Sequence, residues 1–505
     1  FLIYRGLTRP SKGLWLTYAA NDAEGRELSP SSLIERLQRL DEDLQIEPMP
    51  AFDLEETAPA AVFHLLGGEM RKATAETPLS PLWQDIYGFF DENSQWQKRL
   101  SLLKQGIGKT AKPERLSPKT AKALYGKNIF SSVSRLERFA GCPFSFFAEY
   151  GLKAEERRLY QLNTPDLGSL FHEVLELFSN KLEQDNLPWT SLTKEETTAR
   201  IHAAVEDAAP RLGNRILLDS AANQYLIRRL KRISTRAAWT LVQHLQQGDF
   251  VPAGYEVGFG AHEALPPIVI RLQDGGSLIL NGKIDRVDLL DANGTRYVKI
   301  IDYKSGNKTF HFQDIYYGLQ LQLLVYLDAY LKYYKKTGAS FKPGGVFYFR
   351  ITDPTLALDE ELSAEAIEKI LYEKMRMSGL LLQEDVLIHG LDHSLAESRS
   401  SAIVPVGYTK KGDPTAASNL ATEEQYAAIL DFVATRTQEI GDAMKAGIIT
   451  PAPYRDGQRT PCSYCSYRSL CRHSYGEAPR WRKLKKIDKA DFWESITPKQ
   501  PPETE

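Results

Sequence analysis

Three residues set the chemistry to be explained: Asp285, Asp302 and Lys304. They lie in two runs rich in Ile, Val and Leu on either side of Asn293-Gly294. Asn-Gly between such runs signals a hairpin, because a type I′ turn needs positive φ at both central residues. With Asn293-Gly294 as the two-residue loop, Ala292 faces Thr295, so Asp285 faces Asp302 and Lys283 faces Lys304. Asp302 and Lys304 then share one face, with Asp285 across from them. Directly opposed residues have Cβ atoms about 4.5–5.5 Å apart. Two carboxylates that close repel each other unless a cation lies between them. The pattern points to a hard divalent ion, Mg²⁺ above all, which takes one or two carboxylates and keeps several waters. Lys304 beside it can orient a water or stabilise charge developing on a phosphate. A loop one residue longer would pair Asp285 with Ile301 instead. Taken alone, such a hairpin is more often a charged surface ribbon.

A second constellation is Cys462-x2-Cys465-x5-Cys471, with Cys142 far upstream. Four cysteines in 505 residues do not make a disulfide framework. Four thiolates suit a tetrahedral Zn²⁺ or an iron–sulfur cluster, and the spacing does not choose between them. The plainer reading is four unrelated buried thiols. Ligation would join the two ends of one domain across more than 300 residues, a closure that should stabilise it. Three further groups sit at helical or strand spacing. His172 follows Gly168 on an amphipathic helix, Gln322 and Tyr326 stand four apart on another, and Glu256 lies on the strand before the hairpin. Each of these alone is an ordinary packed or surface residue.

The elements that must position these groups are legible in outline. With 42% apolar and 25% charged residues the chain is globular. Its net charge of −2 excludes a basic nucleic-acid coat, so any DNA contact must be local. No apolar run of membrane-spanning length is present, so no membrane partner is expected. The chain starts at Phe1, without Met and inside an element, which suggests the C-terminal portion of a longer protein. Trp15-Leu16-Thr17-Tyr18 suggests a strand. Pro30-Ser31-Ser32-Leu33-Ile34 opens a helix with Ser31 or Ser32 as its cap. Residues 49–117 read as helical, anchored by Leu82, Trp83, Phe89 and Phe90. Gly106-Ile107-Gly108-Lys109-Thr110 is not a phosphate loop, because Leu103 stands where the first glycine belongs and the upstream segment is helical. Residues 111–128 read as a linker, and Ser134-Arg135-Leu136-Glu137 as a capping box starting the helix to Cys142. Residues 195–247 form long helices. Arg228, Arg229, Lys231, Arg232 and Arg236 on one of them are more simply a solvated face than a DNA track. Strands follow from Tyr255 and from Ile268, then the hairpin, a helix from Tyr317 to Lys335 and a strand at Gly345-Val346-Phe347-Tyr348-Phe349. Residues 356–450 read as mostly helical, with a loop near Gly407–Pro414.

The order of these motifs resembles the RecB-type branch of the PD-(D/E)xK nuclease superfamily that carries an iron–sulfur staple. The residues concerned are Ala140-Gly141-Cys142-Pro143-Phe144, Gly168-x3-His172, Gly282-x2-Asp285-Arg286-x-Asp288, Asp302-Tyr303-Lys304, Gln322-x3-Tyr326 and the closing cysteines. More narrowly, the chain is similar to the C-terminal part of the AddB family, found in bacterial ATP-dependent helicase/deoxyribonucleases. Tyr4-Arg5-Gly6-Leu7-Thr8-Arg9-Pro10 resembles the end of that family's helicase-like region, although Arg9 receives no catalytic role because such motors are degenerate. The resemblance implies an α/β restriction-endonuclease-like core, a central mixed sheet flanked by helices, after a helicase-like N-terminal remnant. It implies Asp285 and Asp302 as Mg²⁺ ligands, His172 as a further ligand, Glu256 as an additional carboxylate and Lys304 as the catalytic lysine. Gln322 and Tyr326 become active-site helix residues near the DNA backbone. Cys142, Cys462, Cys465 and Cys471 become ligands of a [4Fe–4S] cluster rather than zinc. The implied domains are 1–110 helicase-like, 111–128 linker, 129–478 nuclease and 479–505 a basic then acidic tail. The implied activity is hydrolysis of single-stranded DNA unwound from duplex ends during break repair, in the bacterial cytoplasm, beside an AddA-type motor subunit. A non-catalytic subunit that binds DNA ends, stabilised by the same metal, is the alternative, separable by cleavage in Mg²⁺ against EDTA.

Overall fold

The computed structural model describes residues 2–20, 27–41, 43–47, 57–73, 77–107, 115–155, 164–211, 221–356, 362–471, 473 and 481–497. The chain divides into two units, Phe1–Lys109 and Thr110–Glu505. The first holds helices α1 (Leu2–Thr8), α2 (Ser32–Leu40), α3 (Pro59–Lys72), α4 (Pro81–Glu92) and α5 (Ser94–Ile107). Ser31 caps α2, its hydroxyl accepting from the Leu33 N–H at 3.3 Å. Helices α3–α5 enclose Val62, Leu66, Phe90 and Leu100, with the Phe63, Phe90 and Trp96 rings 5.1 Å apart. Phe90 is buried and Trp83 half-buried, but Leu82 and Phe89 face solvent. Positions 83 and 90 share one helical stripe, and 82 and 89 lie on the next stripe outward. The strand expected at Trp15–Tyr18 does not form, and Trp15 is 93% exposed. An isolated extended segment has no neighbour to pair its backbone groups. Helix α5 runs to Ile107 with no strand upstream, and residues 108–110 of the rejected phosphate loop lie outside the described residues.

The second unit opens with α6 (Pro118–Tyr125), β1 (Asn128–Ser131), α7 (Val133–Gly141) and α8 (Pro143–Phe146). Long helices α9 (Thr164–Gln184), α10 (Lys194–Ala208) and α11 (Ala221–Gln246) follow, then strands β2 (Val251–Phe259), β3 (Ile268–Arg271), β4 (Ser277–Leu280), β5 (Gly282–Ala292) and β6 (Thr295–Lys304). Next come α12 (Phe312–Tyr316), α13 (Gln322–Lys336), β7 (Lys342–Arg350), α14 (Ala364–Lys374), β8 (Ser378–Leu382), α15 (Asp385–Leu391), β9 (Leu420–Ala421) and α16 (Glu423–Lys445). The end carries β10 (Tyr454–Arg455), α17 (Arg468–Cys471), β11 (Arg482–Lys483) and α18 (Lys489–Ile496).

The central sheet runs β2-β5-β6-β7-β8-β9 and is mixed, because β6 pairs parallel to β7, and β8 to β9, while the other neighbours are antiparallel. The parallel β6–β7 step needs a crossover, and α12–α13 supply it. Helix α13 covers the face bearing Asp302, and α11 covers the opposite face, where the His244 ring meets Phe349 at 6.0 Å. A small sheet, β1-β4-β3, lies beside it.

The hairpin takes the expected register. Ala292 pairs with Thr295, and Asn293 and Gly294 turn at φ of 52° and 76°. Four other expectations change. The supposed linker contains α6, whose Ala121 is buried beside Gly447. The helix expected over Tyr317–Lys335 begins only at Gln322, because Gly318 at φ 74° turns the chain after a short α12 that ends at Tyr316. Strands β8 and β9 lie inside the stretch read as helical, since a short, fully buried apolar run carries no period to distinguish strand from helix. Part of the supposed tail is α18, whose Phe492 packs on Phe312 with ring centroids 5.1 Å apart.

Candidate active site

Among the described residues, His172, Glu256 and Asp285 bring one ligand atom each to within 4.8 Å of one another. Three elements converge there. Helix α9 carries His172, β2 carries Glu256 and β5 carries Asp285. The β5–β6 ladder stops at Arg286–Ile301, one step short of Asp285 and Asp302. In place of the next rung, Asp285 Oδ2 accepts the Tyr303 N–H at 2.6 Å and meets His172 Nδ1 at 3.3 Å. Glu256 adopts φ 47° inside a strand, a left-handed state that costs a side-chain-bearing residue energy and clusters at functional sites. Its neighbours Tyr255 and Val257 pair with Arg286 and Ile284, which puts Glu256 level with Asp285. Burial, then the Asp285 charge, push the Glu256 carboxyl up to about 7, against the pull of Lys283 at 3.3 Å. His172 also shifts upward. Burial opposes its charged form, but the bond to Asp285 and the charges of Asp285 and Asp302 outweigh burial. A cleft of about 690 Å³ runs along α9 past Gly168, His172, Glu173, Glu176 and Asn180 to Glu256.

Asp302 stands outside that trio. Its Oδ2 is ion-paired with Lys304, and its Oδ1 accepts from Gln322 Nε2 at 2.9 Å. Of the four expected ligands, His172, Glu256 and Asp285 thus converge, and Asp302 lies with Lys304 and Gln322. Burial and the Asp285 charge push Asp302 up to about 6, against Lys304 and Lys308. Tyr326 shares the α13 face with Gln322. It is buried, stacked on Phe259 at 5.5 Å, with its hydroxyl over Gly282. A Cβ at position 282 would overlap that phenol, which explains the glycine of the Gly282-x2-Asp285 motif.

Two lysines and one glutamate join the site without any sequence signal of that role. Lys283 pairs with Glu256, and Lys308, on the loop after β6, lends its charge to Asp302 while its ammonium bonds Glu137. Glu137 forms no capping box, since α7 begins two residues earlier, at Val133. Its carboxylate accepts instead from the Leu321 and Gln322 N–H groups and from Lys308. Nothing local could signal a bond to residues 184 positions away. The Arg286 and Asp288 of the same motif serve the other face of the sheet. There, Asp288 bonds Arg286 at 2.6 and 2.7 Å and Lys299 at 2.9 Å, and all three are buried.

The four cysteines come from three segments. Cys142 is buried at the α7–α8 junction, Cys462 lies within a 3₁₀ turn at Pro461–Tyr464 that Cys465 follows, and Cys471 ends α17. All four are free thiols. Burial raises Cys462, and so do the charges of Cys142, Cys465 and Cys471, so the four groups lie within electrostatic reach of one another. No three of their sulfurs approach within 4.8 Å of each other.

A trio that could hold a metal ion at the open end of a hairpin, an aspartate–lysine pair on the next strand and a glutamine helix across a mixed sheet point to a class. The chain belongs to the PD-(D/E)XK nuclease superfamily, which it matches over residues 131–472. Residues 57–106 match the fifth domain of the ATP-dependent helicase/deoxyribonuclease AddB. The relatives are, by name, the B subunits of ATP-dependent helicase/deoxyribonucleases. That of Alkaliphilus oremlandii is 39% identical over 504 residues, covering 98% of this chain and 44% of its own length. That of Alkaliphilus metalliredigens is 40% identical over 478 residues, covering 93% and 41%. That of Desulforamulus reducens is 38% identical over 480 residues, covering 93% and 41%. The chain thus spans less than half the length of these relatives.

Proposed function

We propose that Thr110–Glu505 is a Mg²⁺-dependent deoxyribonuclease unit within the AddB-type subunit of a helicase–nuclease complex. The observation that carries this reading is the convergence of His172, Glu256 and Asp285 within 4.8 Å beside the Asp302–Lys304 pair. One imidazole and two carboxylates, with Asp302 adjoining, are a hard donor set that fits Mg²⁺. A Mg²⁺ held there supplies Lewis acidity toward a phosphoryl oxygen and acidifies a bound water. Lys304 orients the attacking water and stabilises the charge gathering on the phosphate. Gln322 holds Asp302 in one rotamer for that task. Water adds to phosphorus opposite the 3′ oxygen, the P–O3′ bond breaks and the proton ends on the leaving oxygen. The products carry 5′-phosphate and 3′-hydroxyl ends.

The four free thiols fit a thiophilic group. Four thiols suit zinc or an iron–sulfur cluster, and the resemblance of the motif order to the iron–sulfur branch of the superfamily supports a [4Fe–4S] cluster here. The names of the relatives, B subunits of ATP-dependent helicase/deoxyribonucleases, support DNA as substrate and a further subunit as partner; to these the resemblance in the sequence adds duplex ends and single strands, an AddA-type motor and break repair in the bacterial cytoplasm. No helix among the described residues is long and apolar enough to cross a membrane. Residues 1–110 are assigned to the helicase-like part and 129–478 to the nuclease.

The test uses the full-length subunit in its complex, with the partner's own nuclease inactivated. Asp302→Ala and Lys304→Ala should each abolish Mg²⁺-dependent cleavage of labelled DNA while binding by gel shift persists. Wild-type cleavage rates in either variant would overturn the assignment. Loss-free binding without any cleavage by the unmutated subunit would favour a purely DNA-end-binding role.

A further inference from the structure

Helix α13 carries Gln322 and Tyr326, yet it has no cap of its own. Its N-cap position is Leu321, a fully buried apolar residue that offers no side-chain acceptor. The first backbone N–H groups of a helix need acceptors, and a buried start makes that need acute. Glu137 meets it from another helix. Its Oε1 accepts from Leu321 N at 2.8 Å and from Gln322 N at 3.1 Å, and its Oε2 is held by Lys308 Nζ at 3.2 Å. The Glu137 side chain is only 12% exposed.

We propose that Glu137 is a positioning residue for this site: capping α13 from outside, it sets where the Gln322 amide meets Asp302. The chain of contacts is short. Glu137 fixes the backbone of Gln322, and the Gln322 side chain donates to Asp302 Oδ1 at 2.9 Å. A carboxylate at a helix N-terminus also opposes the positive end of the helix dipole, so charge and hydrogen bonds act together. The same carboxylate tethers Lys308, whose charge acts on Asp302. Without Glu137 the first turn of α13 frays, and Gln322 and Lys308 lose their fixed positions together. Five residues along α7, Cys142 enters the cysteine set, so one short helix joins the clasp to the catalytic face.

This role rests on the nuclease reading above, and the test has one arm that does not. Hydrogen exchange on the full-length subunit in its complex would compare wild type, Glu137→Ala and Glu137→Gln. In Glu137→Ala the amides of Leu321 and Gln322 should exchange at least about 10-fold faster, while β5 and β6 keep their protection. Glu137→Gln, which keeps an acceptor oxygen, should recover most of that protection. Kinetics form the second arm. Glu137→Ala should lower kcat about 10- to 100-fold, with KM for DNA changed less than about threefold, as expected for a misplaced catalytic contact. Glu137→Gln should recover most of the turnover, and Glu137→Ala combined with Gln322→Ala should be no slower than the slower single variant. Unchanged exchange and kcat in Glu137→Ala would overturn the proposal. So would multiplicative losses in the double variant, or a loss spread over the whole unit that Glu137→Gln does not recover. If the nuclease reading itself is wrong, the unmutated protein will show no Mg²⁺-dependent cleavage sensitive to Lys304→Ala, and the exchange arm still decides whether Glu137 caps α13.

Discussion

Single residues here show how burial sets charge. His244 lies in α11 between the rings of Phe349 and Tyr372, at 6.0 and 5.3 Å. Both its ring nitrogens are buried without a hydrogen-bond partner. Burial first, then the charges of Lys299 and Arg286, push it down to about 3. In the unfolded chain the same ring titrates near 6.5. A depressed pKa gives stability that is present above about 6.5 and is lost as pH falls toward 3, because only the unfolded chain takes the proton. Replacing His244 by Phe should remove this share, on the order of 2–3 kcal/mol between pH 6.5 and pH 4. Urea unfolding of wild type and variant at both pH values measures it, and parallel pH slopes would refute it. Asp285, Asp302 and Lys304 were legible because Asn-Gly fixes register and register fixes faces. The left-handed φ of Glu256 was not, since no residue pattern announces a reversed dihedral in mid-strand. The division of the ligand set was equally hidden, because it depends on how Lys304 and Gln322 are placed against Asp302.

At the scale of elements, the hairpin and the crossover helix interlock through an absent side chain. Gly282 leaves room for the Tyr326 phenol, and Phe259, the strand partner of Gly282, stacks on that ring. Adding a methyl group here overpacks a buried contact, at about 1–3 kcal/mol. Gly282→Ala should therefore destabilise the wild type but be tolerated once Tyr326 is replaced by Ala. The coupling in a double-mutant cycle should reach about 1 kcal/mol or more, and equal costs in both backgrounds would refute the contact. The sequence disclosed the hairpin, the long helices and the cap at Ser31, all of which rest on local pattern. It misplaced elements whose limits are tertiary. Helix α6 looks like a linker until Gly447 lies against it, and α7 looks self-capped although Glu137 serves α13.

For the molecule as a whole, the proposed cluster would close the second unit through its cysteines. Cys142 stands at the start of the nuclease fold and its three companions near the end. Arg482 adds a second tie, donating to the Ala140 and Gly141 carbonyls at the C-terminus of α7. Removing a group held by ligands from both ends reopens a very long loop, and such closures contribute most. A Cys465→Ser variant should lose the broad visible absorption expected of a cluster and should melt at lower temperature across the whole nuclease unit. Absorption spectra, metal analysis and calorimetry on anaerobic protein check this. Stoichiometric zinc in a colourless wild-type preparation would overturn the iron–sulfur assignment. The cysteine spacing suggested that the two ends are joined, whereas the tie of Arg482 to the end of α7 had no sequence signal, because it links residues 342 positions apart.

The distance between the two halves of the clasp also has a meaning in time. During synthesis, Cys142 leaves the ribosome more than 300 residues ahead of Cys462. At about 5–20 residues per second that is an interval of tens of seconds. For the later part of it the hairpin and α13 have been made, but α7, which carries the cap for α13, still has no far-end anchor. The tie between α7 and the closing cysteines can therefore form only after residues 462–471 emerge, so the settling of α7 is timed by the synthesis of a segment far downstream.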